Sequence, residues 1–197
     1  SANKCGQQVQ SVPHNSILLE GFSNVEEESA TLQWNSYNNW NYGDTAVIGG
    51  GNSHYLYAQG ATITAGHNNY AYAFASTVGG GMYNSVYGTY STAGGGWYTH
   101  IFGQYSVFGG GHSMYVSGDG MVVGGGISNY AYAPYTTIGG GTSHYMYKSF
   151  VTVSGGHNHY VYGYGASIAG GMYNSVYANY GTVSGGKWTK SMALYAT

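Results

Sequence analysis

A glycine returns every fifteen residues, and that interval limits what this chain can fold into more than any other feature. Gly51, Gly66, Gly81, Gly96, Gly111, Gly126, Gly141, Gly156, Gly171 and Gly186 keep the spacing through ten copies, with no insertion or deletion. Three residues before each stands Ile48, Ile63, Val78, Ala93, Phe108, Val123, Ile138, Val153, Ile168 or Val183. A disordered low-complexity tract has no reason to hold such a phase. A solenoid does, because each coil stacks its side chains on the same columns of the next.

Fifteen residues suit one coil of two short strands and two turns. A second apolar column runs Leu56, Ala71, Val86, Ile101, Val116, Ala131, Met146, Val161, Val176. Two residues on comes a small column, Ala58, Ala73, Gly88, Gly103, Gly118, Ala133, Gly163 and Ala178, broken once by Lys148. This period of two marks a strand with an inward face. Segments such as Ser76-x-Val78-x-Gly80 supply the other strand, and runs such as Gly79-Gly80-Gly81 carry the tight turn. Composition agrees with a thin core. The 197 residues include 36 glycines, only 10 charged residues and no arginine, so a conventional large-side-chain core is excluded. The expected fold is all-β, a single-chain parallel β-solenoid (β-roll) of ten 15-residue coils with two short strands each. At ~4.8 Å per coil the rod is roughly 48 Å long.

The outward positions are as regular. Tyr55, Tyr70, Tyr115, Tyr130, Tyr145 and Tyr160 form one row. Tyr57, Tyr72, Tyr87, Phe102, Tyr132, Tyr147, Tyr162 and Tyr177 form the next, and a third is mostly threonine, from Thr62 to Thr197. Aromatic and β-branched residues suit strand surfaces. A ninety-residue repeat overlies the short one: Gly81-Met82-Tyr83-Asn84-Ser85-Val86-Tyr87 returns as Gly171-Met172-Tyr173-Asn174-Ser175-Val176-Tyr177. Duplication of a six-coil block accounts for it.

Each coil has two halves of similar grammar, Asn84-x-Val86-x-Gly88 and Ser76-x-Val78-x-Gly80. This resembles the head repeats of trimeric autotransporter adhesins, and also the NxVxG repeats of some plant ice-binding β-rolls. The resemblance covers about residues 46–197 and implies a left-handed parallel β-roll with a role at a cell surface. The chain shows no heptad stalk, neck or anchor pattern, and its tyrosine wealth is unusual for those heads.

Three domains of sequence follow: residues 1–33 as a non-repeat cap or donated strand, 34–47 as a degenerate lead-in coil, and 48–197 as the solenoid. Glu20, Glu26, Glu27, Glu28 and Asp44 gather five of the six acids toward one end, while Lys187 and Lys190 lie in the last coil. Opposed end charges orient a head-to-tail contact, and such a contact, if it does not close, builds a filament. The expected assembly residues are Ile17, Leu18, Leu19, Phe22, Glu26, Glu27 and Glu28 at one end. At the other they are Lys187, Trp188, Lys190, Met192 and Leu194. The function expected first is a structural subunit of an extracellular fibre or surface appendage whose partner is itself. A surface adhesin or carbohydrate-binding rod, with glycans on the tyrosine rows, is the alternative. Ice binding through the threonine row is a weaker third, since Val107, Val122 and Ser167 interrupt that row.

Other chemistry finds little material. A net charge of −2 leaves no basic footprint for nucleic acid. No apolar run approaches the ~18–20 residues of a membrane span. Asp119 is the only acid after Thr45, so paired-carboxylate catalysis is not expected, and no enzyme activity or cofactor is. The eight histidines read as polar turn residues rather than metal ligands; His67, His112 and His157 share one turn position but lie three coils apart. Cys5 stands alone, and Ser1 in place of Met suggests signal-peptide removal and an extracellular location.

Overall fold

The computed structural model describes residues 17–22, 25–26 and 32–194, with side chains from residue 38 onward. Every regular element among them is a β-strand, most only two residues long. The strands form two parallel ladders. One passes through Ile17–Phe22, Leu32–Tyr37, Val47–Ile48 and Thr62–Ile63 and ends at Thr182–Val183; it is called here the threonine sheet. The other passes through Val25–Glu26, Trp40–Asn41 and Tyr55–Leu56 and ends at Lys190–Ser191; it is the tyrosine sheet. Neighbours pair fifteen residues apart, as in Thr77 with Thr92 and Tyr130 with Tyr145. The backbone N–H of one residue donates to the carbonyl fourteen residues on, at 2.9 Å for both Thr77 to Ser91 and Tyr57 to Ala71. The molecule is a parallel β-solenoid.

The fifteen-residue pairing reaches further toward the N-terminus than the glycine column does. Ile17 pairs with Leu32 and Phe22 with Tyr37; Val25 pairs with Trp40 and Glu26 with Asn41. The expected boundary at residue 33 therefore does not separate repeat from non-repeat. The segment Ile17–Phe22, expected as a cap or donated strand, pairs as a rung of its own chain. Parallel pairing is made by backbone groups and needs no glycine at the corner, so these rungs lacked the strongest sequence signal.

Both apolar columns face inward. Ile48, Ile63, Val78 and Ile138 on the threonine sheet, and Leu56, Val86, Ile101 and Met146 on the tyrosine sheet, are fully buried. A third inward column, Ala61, Ser76, Ser91, Ser106, Met121 and Val151, closes one corner. The coil is too thin for more. A Cβ on Gly103 would overlap the carbonyl oxygen of Gly118 on the next rung, and one on Gly88 that of Gly103.

Two buried polar columns hold the corners. Asn84 donates through Nδ2 to the Gly80 carbonyl (2.8 Å) and to the Gly96 carbonyl (2.9 Å), while its Oδ1 accepts the Thr99 N–H (3.1 Å). One side chain thus ties its own corner, the next corner and the next strand. Asn129 and Asn174 repeat the arrangement. At the opposite corner Ser91 Oγ donates to Gly103 O (2.8 Å) and accepts the Ser106 N–H (3.0 Å). Buried backbone groups at a turn need such partners, each worth about 1 kcal/mol net.

The corners also need left-handed backbone. All ten turn glycines have φ between 81° at Gly81 and 134° at Gly111. Residues with a side chain occupy left-handed φ too, including Tyr90 (55°), Tyr105 (54°), Tyr135 (58°) and Phe150 (60°). Each turns its N–H back toward the preceding coil, as Tyr105 does to Thr89 O at 2.9 Å. That bond holds a conformation that costs an aromatic residue about 1–2 kcal/mol.

Candidate interaction surfaces

The tyrosine sheet exposes two aromatic columns, because its residues alternate inward aliphatic and outward tyrosine. In the first, Tyr55, Tyr70, Tyr115, Tyr130, Tyr145 and Tyr160 are half-buried. Ser85 and His100 interrupt it, and Ser85 is buried beneath its neighbours. In the second, Tyr57, Tyr87, Tyr132, Tyr147, Tyr162 and Tyr177 are exposed, and Tyr72 is half-buried.

Rung spacing forces these rings to stack along the rod axis. Tyr55 and Tyr70 lie 5.0 Å apart at 4°, Tyr130 and Tyr145 5.0 Å at 6°, and Tyr145 and Tyr160 5.0 Å at 6°. In the second column the Tyr57–Tyr72 and Tyr72–Tyr87 centroids are 5.0 and 4.6 Å apart, and Tyr87–Phe102 4.8 Å. Ser117 would break this column. Tyr115 crosses over from the first column instead, tilted 42° to Phe102 and 43° to Tyr132. Tyr132, Tyr147, Tyr162 and Tyr177 complete the run at 4.7–5.4 Å. The aromatic contacts are therefore continuous from Tyr42 to Tyr177.

This geometry decides which part of each ring meets solvent. The π faces lie along the axis, and within each unbroken run the rings above and below cover them. Edges and hydroxyls point outward. Stacking on a sugar ring, the premise of the glycan alternative, requires an open face; rings inside the second column present none, whereas Tyr70, Tyr130 and Tyr160 border gaps in the first. Burial also favours the neutral form of six of these phenols. Burial, reinforced by the neighbouring Tyr87 and Tyr57 phenols, pushes Tyr72 up to about 12, and burial raises Tyr70, Tyr132, Tyr145, Tyr147 and Tyr162.

The corners carry further aromatic pairs that the row analysis of the sequence missed. Tyr83 stacks on Tyr98 (4.9 Å), Tyr90 on Tyr105 (5.5 Å), Tyr135 on Phe150 (5.1 Å) and Tyr173 on Trp188 (4.4 Å). Their fifteen-residue spacing was the available signal. Their left-handed backbone hid it, because aromatic residues seldom adopt that conformation.

The expected assembly residues fall at the two extremes of the described rod. Ile17, Leu18, Leu19 and Phe22 belong to the first rung of the threonine sheet and Glu26 to the first rung of the tyrosine sheet. Glu27 and Glu28 lie outside the described residues. At the far end Lys187 and Lys190 are exposed, beside Trp188 (63% exposed), Met192 (69%) and Leu194 (62%). Among the described side chains these three are the most exposed large apolar ones apart from Tyr105 at 62%. A cleft of about 480 Å³ opens there, lined by Val183, Gly185, Thr189, Ser191 and Met192 among others.

Apart from His100 in the first tyrosine column, the described histidines divide into two kinds. His67, His112 and His157 sit at the glycine corner and are half-buried, as expected of polar turn residues. His54, His144 and His159 are instead completely buried, in the column of Asn69, Asn84, Asn129 and Asn174. Among the described residues no three His, Cys, Asp or Glu side chains converge as a metal cluster, and no helix is long and apolar enough to cross a membrane. No protein-family model matches the chain, and no curated protein matches it either.

Proposed function

We propose that this chain is a structural subunit of an extracellular fibre or surface appendage, assembling head-to-tail through the ends of its solenoid. The observation that carries the reading is the shared register of the two ladders, whose last described rungs hold Lys187, Trp188, Lys190, Met192 and Leu194. The first rungs supply the complement: the strand Ile17–Phe22 is aliphatic and carries Glu20, and Glu26 follows in the next strand. In that register Ile17 and Thr182 occupy equivalent positions on one ladder, Val25 and Lys190 on the other, so a translated copy continues both sheets at once. The aromatic ladder suits a structural role, since its rings stack on each other and leave edges and hydroxyls for lateral contact.

Electron microscopy of the purified protein tests the proposal. Filaments about one solenoid wide are expected, shortened by Lys187→Glu with Lys190→Glu and restored by adding Glu26→Lys and Glu27→Lys. A strictly monomeric sedimentation profile at high concentration overturns it.

A further inference from the structure

The buried asparagine column is not asparagine throughout: Thr99, Met114 and Thr189 stand in it, and histidine stands in it at three further places. Asn69, Asn84, Asn129 and Asn174 satisfy both Nδ2 protons and the Oδ1 acceptor, as at Asn69, whose Nδ2 donates to Ala65 O (3.1 Å) and Gly81 O (3.0 Å). His54, His144 and His159 stand in the same column and do less. Each uses Nδ1 to accept the N–H of the next rung: Asn69 to His54 at 3.2 Å, His159 to His144 at 3.3 Å, and Asn174 to His159 at 3.2 Å. Because Nδ1 accepts, the proton resides on Nε2. All three Nε2 atoms are buried without a partner in hydrogen-bond geometry. They occupy the place of the asparagine Nδ2, close against the backbone of Gly51, Gly141 and Gly156. Thr99, in the same column, also leaves its Oγ1 without a partner, and Met114 offers no polar group at all, so the column tolerates an incomplete cap. What histidine adds over asparagine is a proton.

We propose that His54, His144 and His159 form an acid release built into the solenoid: protonation converts Nδ1 from acceptor to donor, sets it against the N–H of the next rung, and opens the rod locally at 54–69 and 144–174. The new proton has nowhere else to go, since Nε2 already carries one. His144 and His159 act as a pair, their rings stacked at 4.8 Å and 7°, so charging one opposes charging the other and the second charge disrupts the stack.

The groups around them act in the same direction. Burial is the largest influence on each ring, and it lowers His54 and His144 from the ordinary 6.5 to about 4 and lowers His159 as well. His67 bears on His54, and His157 on both His144 and His159, each disfavouring the charged form. The Gly50, Gly140 and Gly155 carbonyls favour it. No carboxylate is among the groups that act on any of the three. A base whose value is lowered by folding is held neutral in the rod, while the unfolded chain takes up the proton at 6.5. Stability is therefore fully present above about pH 6.5 and falls as the pH drops through 6.5 toward 4.

The ninety-residue duplication supplies an internal control. His54, Asn69 and Asn84 in the first block correspond to His144, His159 and Asn174 in the second. One step is titratable in the first and two adjacent steps in the second, so the second block opens at the higher pH.

Hydrogen exchange read by mass spectrometry between pH 7 and pH 3.5, corrected for the intrinsic pH dependence of exchange, tests this on the full chain. Protection is expected to fall first across residues 144–174, then at 54–69, and last elsewhere. His144→Asn with His159→Asn is expected to move the acid midpoint of the second block down by at least half a pH unit. Loss of protection in the same order and at the same pH in that variant overturns the proposal. NMR titration of the wild-type imidazoles gives an answer that does not depend on the variant folding: values near 6.5 for all three buried rings also overturn it.

Discussion

The two sheets of this solenoid share rung spacing, register and an inward apolar column, yet they are clothed in opposite ways. The tyrosine sheet carries aromatic rings that lie on one another from Tyr42 to Tyr177. The threonine sheet carries short side chains: Thr62, Thr77, Thr92, Val107, Val122, Thr137 and Thr152, beside a column that is glycine from Gly79 to Gly139. Thr137, Thr152 and both valines are exposed. On the first sheet, outward side chains add to the cohesion between rungs. On the second, the rungs rely on backbone bonds and the inward column. An outward row can thus be structural on one face and almost free of structural duty on the other.

The largest expected effect tests the thin interior that lets the tyrosine sheet approach its partner. Gly103→Val drives a side chain into the Gly118 carbonyl and should cost about 3 kcal/mol or more, seen as a large fall in melting temperature. Its counterpart beyond the threonine sheet is Gly95→Ala, where a Cβ meets nothing within 4 Å. That change should be neutral or stabilise by up to about 1 kcal/mol, because it narrows the unfolded ensemble.

The two polar corners come next. Asn84→Ala removes three hydrogen bonds, one of them fully buried, and should cost about 2–4 kcal/mol. Ser91→Ala, at the opposite corner, removes a hydroxyl whose single proton is shared between Gly103 O and Thr89 O and which accepts one N–H, and should cost about 1–2 kcal/mol in the same calorimetric measurement. Equal losses would show that one corner does not dominate.

The outward rows give a smaller contrast. Tyr72→Ala deletes contacts to Tyr57 and Tyr87 and should cost about 1–3 kcal/mol. Thr77→Ala should stay within about 0.5–1 kcal/mol. If the two were equally mild, the aromatic ladder would have no cohesive role and would be surface alone. The smallest effect on stability is expected for Lys187→Glu with Lys190→Glu. Melting should move by less than about 0.5 kcal/mol equivalent, while filament length in electron micrographs falls.

Much of this was legible before any coordinates. The two apolar columns, the small column and both tyrosine rows point as the period of two within a period of fifteen said they would. The N-terminal rungs were not legible, since Ile17–Phe22 and Leu32–Tyr37 pair through backbone groups without the turn glycine. Nor was the division of the histidines. His157 and His159 are two residues apart, yet one is half-buried at the corner and the other wholly buried beside His144. A change in backbone direction at the left-handed Asn158 (φ 54°) separates them.

The sequence by itself determined the period, and with it the parallel register and the facing of most side chains, because stacked coils must repeat what they bury. Only the tertiary structure decided how stacked side chains use one another. The axial stacking closes the tyrosine faces within each unbroken run and leaves their edges, and Tyr115 bridges the gap left by Ser117. The corner geometry that satisfies an asparagine leaves a histidine Nε2 without a partner. These depend on a rise of about 4.8 Å between neighbouring rungs, a distance across which residues fifteen apart in sequence become nearest neighbours in space.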